Sequence, residues 1–335
     1  MTTRIAINGF GRIGRIFFRQ AFGNPEIEIV AINDLGTAAN LAYLLKYDSV
    51  YGRYNKPVQL ADSKMIVDGK EIALLQEKDP SKLPWKDLNI DVVIESTGVF
   101  DSRDKAVVHL NAGAKRVVIT APAHDDVTPT ATPNVGVDVL SKDKITSNAS
   151  CTTNATNPVI SVMMNSLGIE KALLTTVHGY TATQGLVDGP DKKDDFRRAR
   201  AAAANIVPST TGAAKATTRV ITALEGKFDG IAIRVPVLSG SLIDVTFIAS
   251  RPTTKEEVND IFKKAAAAPE WQGILTVTEE PLVSTDILAT EYGSIVDLAL
   301  TRVADGNLVK VFSWYDNEWG YSAMLLKHVL LVAQL

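Results

Sequence analysis

Arg4-Ile5-Ala6-Ile7-Asn8-Gly9-Phe10-Gly11-Arg12-Ile13-Gly14 is the stretch whose reading decides the fold. Residues 4–8 form a short apolar run of strand character, and residues 15–21 place Ile16, Phe17 and Phe18 at helical spacing. Between them Gly9, Gly11 and Gly14 make a G-x-G-x-x-G fingerprint in the strand–turn–helix context that it requires. Its glycines permit the tight turn, the approach of backbone to a pyrophosphate, and close packing of helix on strand. The helix N-terminus that follows can receive the anion. A second strand, Ile27–Asn33, ends at Asp34, twenty positions beyond Gly14. An acid there accepts hydrogen bonds from ribose hydroxyls and repels a 2′-phosphate, so the pattern favours NAD over NADP.

Outward from this fingerprint, strand-like runs at 91–95 and 116–120 flank a helical stretch at 103–112 that Gly113 stops. Thr97, Gly98 and Thr120 follow the carboxyl ends of those strands, where open α/β sheets bind ligands. Ordinary loop polarity explains these three equally well. Beyond residue 150 the pattern changes. Runs at 173–177, 231–235, 242–249 and 308–315 are long and β-rich, with fewer helices between them, which suggests a mixed, largely antiparallel sheet. The expected class is α/β, with a Rossmann-type dinucleotide-binding domain over 1–150 and an α+β catalytic domain over 151–316. An apolar helix at about 317–335 is expected to pack back on the first domain.

The composition is that of an intracellular enzyme. A chain of 335 residues exceeds one ordinary domain, and 46% hydrophobic residues support a large core. A net charge of −3 gives no electrostatic case for nucleic acid or a membrane surface. One cysteine excludes an internal disulfide, in keeping with a reducing compartment. Met1-Thr2-Thr3 runs into the first strand without an apolar signal region, and no apolar run approaches the ~20 residues that span a bilayer. The cytoplasm is the expected location, and no metal is expected.

That one cysteine stands in Ser147-Asn148-Ala149-Ser150-Cys151-Thr152-Thr153-Asn154. Ser150, Thr152, Thr153 and Asn154 are helix-capping types, and the segment leads to an apolar-periodic helix at 158–164. A cysteine at a helix N-terminus faces unpaired N–H groups and the positive end of the macrodipole, which favours its thiolate. A lone cysteine is more often a small buried hydrophobe, but the polar neighbours of Cys151 favour a nucleophile. Of the four histidines, His178 ends the strand at 173–177 and enters the turn Gly179-Tyr180-Thr181. His109, His124 and His328 are read as structural or solvated. A cysteine and a histidine on separate elements suit covalent catalysis.

An anion site is suggested further along. Arg198 lies in the basic run 197–200, which follows the charged loop 191–195, and Thr211 and Gly212 stand at a helix start after Ser209 and Thr210. Arg234 sits inside the apolar run 231–235, a costly place for a charge unless a partner or a site opening meets it. Arginines beside a Thr-Gly turn are suited to phosphate. Lys192 and Lys193 are read as solvated charge.

With these residues in view, the chain resembles the phosphorylating glyceraldehyde-3-phosphate dehydrogenases. The likeness runs from Asn8–Gly14 to the segment Trp314-Tyr315-Asp316-Asn317-Glu318-Trp319-Gly320-Tyr321-Ser322, and residues 147–154 and 178–181 carry it most specifically. The resemblance implies Cys151 as nucleophile and His178 as its activating base. It implies Arg12, Ile13, Asp34, Lys78, Thr120 and Asn317 as contacts to NAD, joined by Gly9, Gly11, Gly14 and Thr97. It places the phosphate of glyceraldehyde 3-phosphate near Thr181 and Arg234, and inorganic phosphate near Ser150, Arg198, Thr211 and Gly212, with Thr152 bordering the substrate beside Cys151. A glycolytic homotetramer is implied. Ala155 stands where many relatives carry a second cysteine, Lys78 replaces a common arginine, Thr120 a common serine, and the loop 188–196 is longer and more acidic than usual. An erythrose-4-phosphate enzyme, an NADP-dependent form and a non-catalytic NAD-binding protein remain as competing readings at this point.

Overall fold

A computed structural model of the chain describes residues 2–190 and 194–335. Asp191, Lys192 and Lys193, including the two lysines read as solvated charge, lie outside the described residues. The chain divides into two compact units, one formed by Met1–Ala131, Gly136–Ala149 and Ser322–Leu335, the other by Thr132–Val135 and Ser150–Tyr321.

The first unit is built on an eight-stranded sheet in the order Ile145–Ser147, Arg116–Ile119, Val92–Glu95, Thr3–Asn8, Ile27–Asn33, Lys70–Leu75, Lys64–Val67 and Val58–Ala61. Neighbours among the first six are parallel, and the last two run antiparallel. Successive side chains of a strand point to opposite faces, so the central runs feed two cores. Ile5, Ile7, Ile94 and Val118 join Phe17 and Phe18 on one side, together with Leu325, Val329 and Val332 from the helix Trp319–Ala333. Ala6, Val93, Val117 and Ile119 pack with Trp85 and Ala106 on the other. This is the expected doubly covered sheet, with an antiparallel edge over 58–75 that the sequence reading did not anticipate.

Glycine is a steric requirement at two points of the fingerprint. Gly9 has φ +94°, and a Cβ there would lie 2.7 Å from backbone atoms of Ser96 and Thr97. A Cβ on Gly14 would lie 2.2 Å from the carbonyl oxygen of Gly9, so helix Arg12–Ala21 could not seat against the turn. Gly11 is different, because a Cβ there meets nothing within 4 Å.

The second unit carries a seven-stranded sheet in the order Val207–Thr210, Phe228–Val235, Ile169–Gly179, Ser241–Ala249, Leu308–Tyr315, Ser294–Ala304 and Leu275–Thr278. Only the pairs Ile169–Gly179 with Phe228–Val235 and Leu275–Thr278 with Ser294–Ala304 are parallel. The mixed, largely antiparallel expectation is therefore met. The helix Cys151–Leu167 packs on this sheet and is buried from Thr152 through Ile160. It begins seven residues before Pro158, where the sequence periodicity had placed its apolar run. Thr and Asn are weak helix formers and an interior proline removes an N–H, so burial of this segment overrides its local propensity. Among the described residues no helix is long and apolar enough to cross a membrane.

Two consequences are measurable. Gly14→Ala should destabilise the protein by on the order of 3 kcal/mol through backbone collision, whereas Gly11→Ala, at a helix N-cap with open space, should cost no more than ~1 kcal/mol. Urea unfolding without cofactor compares them, and equal losses would contradict the close-packing role of Gly14. The second concerns His328, which is buried with Nε2 2.9 Å from Thr146 Oγ1. Burial lowers its pKa from 6.5 to about 4. Within that window the unfolded chain binds a proton that the folded chain refuses, so stability is complete above pH 6.5 and is lost as pH falls, by up to ~1.4 kcal/mol per pH unit. Unfolding at pH 7 and pH 5 should show a smaller acid loss in His328→Gln than in the unsubstituted protein, and an identical loss would exclude the linkage.

Candidate active site

Ser150 caps the helix Cys151–Leu167, its Oγ accepting from the Thr153 N–H at 3.0 Å. The cap puts Cys151 at the first helical position, half-buried, with the helix N-terminus at its back. His178 lies near the end of the strand Ile169–Gly179, in phase with the inward-facing Ala172, Leu174 and Thr176. Helix and strand bring Cys151 Sγ within 3.3 Å of His178 Nε2. The two residues singled out on separate elements are thus in contact.

The electrostatics around this pair are set by burial. Burial pushes the Cys151 thiol up, while the Arg234 guanidinium and the hydroxyl and N–H groups of the first helical turn draw it partway back. The expected pull of the helix N-terminus is therefore present but outweighed. Burial, reinforced by Arg234 and Arg198, lowers His178 to about 3, so its imidazole is neutral at physiological pH. Arg234 Nη1 stands 2.6 Å from His178 Nδ1 and donates to the Gly179 carbonyl at 3.1 Å. The charge inside the apolar strand Phe228–Val235 has its explanation here, since register pairs Arg234 directly with His178.

A residue that the sequence reading missed completes the wall. Tyr315 is buried, its ring stands edge-on to the imidazole at 5.9 Å, and its hydroxyl lies 3.0 Å from Thr152 Oγ1 and 2.7 Å from Thr176 Oγ1. Burial and the nearby Cys151 raise its phenol, which stays protonated. The signal was present in the alternation of Leu308–Tyr315, where Val309, Val311, Ser313 and Tyr315 share the inward face. The Thr152 side chain is shared between Tyr315 and the Cys151 sulfur.

The remaining candidates in this unit are less tightly gathered. Arg198 Nε donates to Ser209 Oγ at 2.8 Å, a partner not anticipated, and lies 3.4 Å from Asp195 Oδ2. A cavity of about 710 Å³ adjoins Arg198, with Thr183, Gln184 and Thr210 in its wall. Thr211 Oγ1 accepts from the Ala213 N–H at 3.2 Å, and Gly212 caps the helix Ala213–Val220. Thr181 Oγ1 is 2.9 Å from Thr183 Oγ1 in an exposed turn. Asn317 is buried, its Oδ1 accepting from the Gly240 N–H at 3.0 Å and from Ser241 Oγ at 2.8 Å.

In the first unit, a crevice of about 510 Å³ is lined by Asn8, Gly9, Gly11, Asp34, Lys78 and Thr97, among others. Its floor rests on a buried polar network. Asn8 Nδ2 donates to Glu95 Oε2 at 2.6 Å, His109 Nε2 lies 3.0 Å from the same oxygen, and the Thr97 N–H donates to Glu95 Oε1 at 2.9 Å. Asp34 accepts from the Phe10 and Gly36 N–H groups, each at 2.7 Å, so it ties the glycine turn as well as facing the crevice. Arg12 pairs with Asp48 and stacks over Tyr51, and Ile13 packs against the core. Thr120 donates from Oγ1 to the Glu95 carbonyl at 3.1 Å. A pyrophosphate could approach Gly11 closely, because nothing occupies the space a side chain would take there.

Comparison with known proteins adds a family. Residues 3–103 match the model for the glyceraldehyde 3-phosphate dehydrogenase NAD binding domain, and residues 150–317 match that for the C-terminal domain. Glyceraldehyde-3-phosphate dehydrogenase 2 of Streptomyces avermitilis is 49% identical across 99% of both chains. Glyceraldehyde-3-phosphate dehydrogenase of Borreliella burgdorferi is 50% identical over 96% of this chain and 97% of its own. Glyceraldehyde-3-phosphate dehydrogenase 2 of Bacillus subtilis is 46% identical over 98% and 97% respectively. With both domain models matched and the likeness unbroken over nearly its whole length, the chain belongs to the glyceraldehyde-3-phosphate dehydrogenase family.

Proposed function

We propose that this protein oxidises glyceraldehyde 3-phosphate with NAD and inorganic phosphate to 1,3-bisphosphoglycerate, as a glycolytic enzyme of the cytoplasm. The 3.3 Å contact between the chain's one cysteine and His178 carries the reading. The first unit takes the cofactor and the second the chemistry, with the division at residue 150. The residues that would hold NAD are Gly9, Gly11, Arg12, Ile13, Gly14, Asp34, Lys78, Thr97, Thr120 and Asn317. The open space at Gly11 and the acidic wall at Asp34 support that fit. When bound, NAD supplies the hydride acceptor.

The protein's own residues do the rest. His178 Nε2 takes the Cys151 thiol proton, Sγ attacks the aldehyde carbon so that the S–C bond forms as the C=O π bond breaks, and the oxygen takes that proton to become the hemithioacetal hydroxyl. N–H groups of the first helical turn stabilise this oxygen. His178 accepts the hydroxyl proton at Nε2 while the carbon gives up its hydride. A thioester on Cys151 keeps the oxidation energy. An oxygen of inorganic phosphate then attacks the thioester carbon, the C–S bond breaks, and the thiolate is restored as the acyl phosphate leaves. Arg234 and Thr181 hold the substrate's phosphate. Ser150, Thr152, Arg198, Thr211 and Gly212 hold the attacking phosphate, the serine and Thr152 through backbone groups.

A homotetramer is the assembly that suits the exposed apolar residues of the second unit. Leu173 is 65% exposed and Ile231 53% on neighbouring strands of the sheet, and Phe196 is 82% exposed in a turn, apolar surface that a contact between copies of the chain would cover. An apolar hollow of about 660 Å³ beside Leu173, Phe228 and Ile248 continues that face.

The deciding experiment follows NADH absorbance with glyceraldehyde 3-phosphate. Sustained turnover should require phosphate, Cys151→Ser should abolish it while NAD binding survives, and His178→Asn should slow hydride transfer by about 10²–10⁴-fold. Turnover in Cys151→Ser would end the covalent reading. The two arginines should separate by kinetics. Arg234→Leu should raise KM for glyceraldehyde 3-phosphate and spare oxidation of unphosphorylated glyceraldehyde. Arg198→Leu should keep the first NADH burst and slow the phosphate-dependent turnover that follows. The same defect in both variants would refute two separate phosphate positions.

A further inference from the structure

Main-chain pairing of a sheet stops where its strands end, yet the crevice of the first unit is walled by residues beyond those ends. Thr97 follows the strand Val92–Glu95 and Lys78 follows Lys70–Leu75, with Thr3–Asn8 and Ile27–Asn33 between them. Three strand spacings, roughly 14 Å, separate the two walls. Register places Glu95, Asn8, Asn33 and Leu75 in one row at the carboxyl edge. Glu95, Asn8 and Asn33 are almost wholly buried there. An apolar residue would suit burial better at each, so their polar atoms need another reason. Their hydrogen bonds form an unbroken line across the edge. Glu95 Oε1 accepts from the Thr97 N–H at 2.9 Å and from the Thr97 hydroxyl. Glu95 Oε2 accepts from Asn8 Nδ2 at 2.6 Å, and Asn8 Oδ1 accepts from Asn33 Nδ2 at 2.7 Å. Asn33 then grips the main chain of Glu77, donating to its carbonyl and accepting from its N–H, both at 2.9 Å. Each amide has one usable orientation, because turning Asn8 over would set its oxygen against Glu95 and its NH₂ against that of Asn33. His109 and Trp85 join at Glu95 as a side branch that leads into the core.

We propose that Asn33, Asn8 and Glu95 are positioning residues for the cofactor, their side-chain line setting the distance between the Thr97 and Lys78 walls before a nucleotide arrives. This rests on the assignment of the crevice to the adenosine half of NAD, whose ribose Asp34 would meet. Strand ends tied only by main chain would leave the two walls free to move apart, since each lies in a loop beyond its last paired residue. The line removes that freedom in the empty protein. A crevice already held at its working width has little loop motion left to lose when a nucleotide enters, and the difference appears as affinity. The effect is confined to the adenosine half, so it acts on cofactor binding and not on the reacting carbon.

Hydrogen exchange tests the pre-set width in the unsubstituted protein. The N–H groups of Glu77 and Thr97 are held by buried side chains of the line. Read residue by residue with electron-transfer fragmentation, both should exchange without nucleotide as slowly as the strand amides before them. ADP-ribose should slow them less than twofold further. Fast exchange that only ADP-ribose suppresses overturns the proposal, and this measurement needs no variant to fold. Asn33→Asp removes the donor that serves Asn8 and Glu77 and leaves acceptors opposed. It should raise the dissociation constant of ADP-ribose by about tenfold, the scale expected when a buried acceptor loses its donor. Trp85→Phe deletes the indole N–H of the side branch, and it should lower the urea midpoint while leaving ADP-ribose affinity within twofold. Unchanged affinity in Asn33→Asp overturns the proposal, as does an equal loss in Trp85→Phe, which would make the effect one of general stability. If ADP-ribose does not bind the unsubstituted protein, the crevice assignment falls and the proposal with it. If it binds that protein and Asn33→Asp equally well, the assignment stands and only the positioning role is lost.

Discussion

Burial beside Cys151 and His178 opposes charge on both. The thiol is driven up and the imidazole down, so neither ionises by helping itself. Positive charge has to come from a group that cannot lose its proton, and only a guanidinium meets that condition in a half-buried strand. Arg234 supplies it from the register position opposite His178. The strand order of the second sheet makes this pairing possible. Ile169–Gly179 must lie beside Phe228–Val235 in parallel, in a sheet that is otherwise mostly antiparallel, for the arginine and the histidine to share one end.

The first unit solves a different problem with the same economy of groups. The carboxylate of Glu95 is buried under the crevice and takes hydrogen bonds from Asn8, Thr97 and His109. Trp85 donates to His109 Nδ1 at 3.1 Å, which leaves Nε2 as the protonated nitrogen facing Glu95. Each polar atom of the carboxylate is thereby matched. Such a network is stiff because breaking one member strands a buried polar group. It fixes the ends of the strands Thr3–Asn8 and Val92–Glu95, and through Ser96, whose Oγ donates to the Gly9 carbonyl at 2.6 Å, it fixes the glycine turn.

What the sequence discloses and what it hides follow from the range of the forces involved. The fingerprint is legible because its spacing is local: the collision that enforces Gly14 is with the Gly9 carbonyl five residues back, although the one that enforces Gly9 comes from Ser96 and Thr97 on another strand's end. The cap at Ser150 is legible for the same reason, as is the oddity of Arg234 in an apolar run. The start of the Cys151 helix is not legible from periodicity, because its first turns are Thr- and Asn-rich and owe their form to burial against the sheet. The edge strands Val58–Ala61, Lys64–Val67 and Lys70–Leu75 are four to six residues long with turns between them, too short for a period of two to show. The partners Gly179, Tyr315 and Ser209 are hidden more deeply. The alternation of Leu308–Tyr315 marks Tyr315 as inward-facing, but what it meets is fixed by strand register, as is the Gly179–Arg234 contact, and the Ser209–Arg198 contact is fixed by a loop closure. His109 reads correctly as structural, yet its role under the crevice depends on Glu95, one strand away.

Arg234 cannot serve two anions at full strength. When its fork turns to a phosphate dianion, part of its field is neutralised, and the sulfur loses some of the charge that favours the thiolate. The loss is tolerable only if another group takes over at that moment. The N–H groups of the first turn of Cys151–Leu167 are fixed in place by the Ser150 cap and do not move with Arg234. In the proposed cycle they would stabilise charge on sulfur before attack and on oxygen after it, whereas the arginine would act on sulfur before the substrate arrives and on its phosphate afterwards. A fixed dipole and a side-chain charge would thus divide the work in time, with the histidine between them free to accept a proton and pass it on.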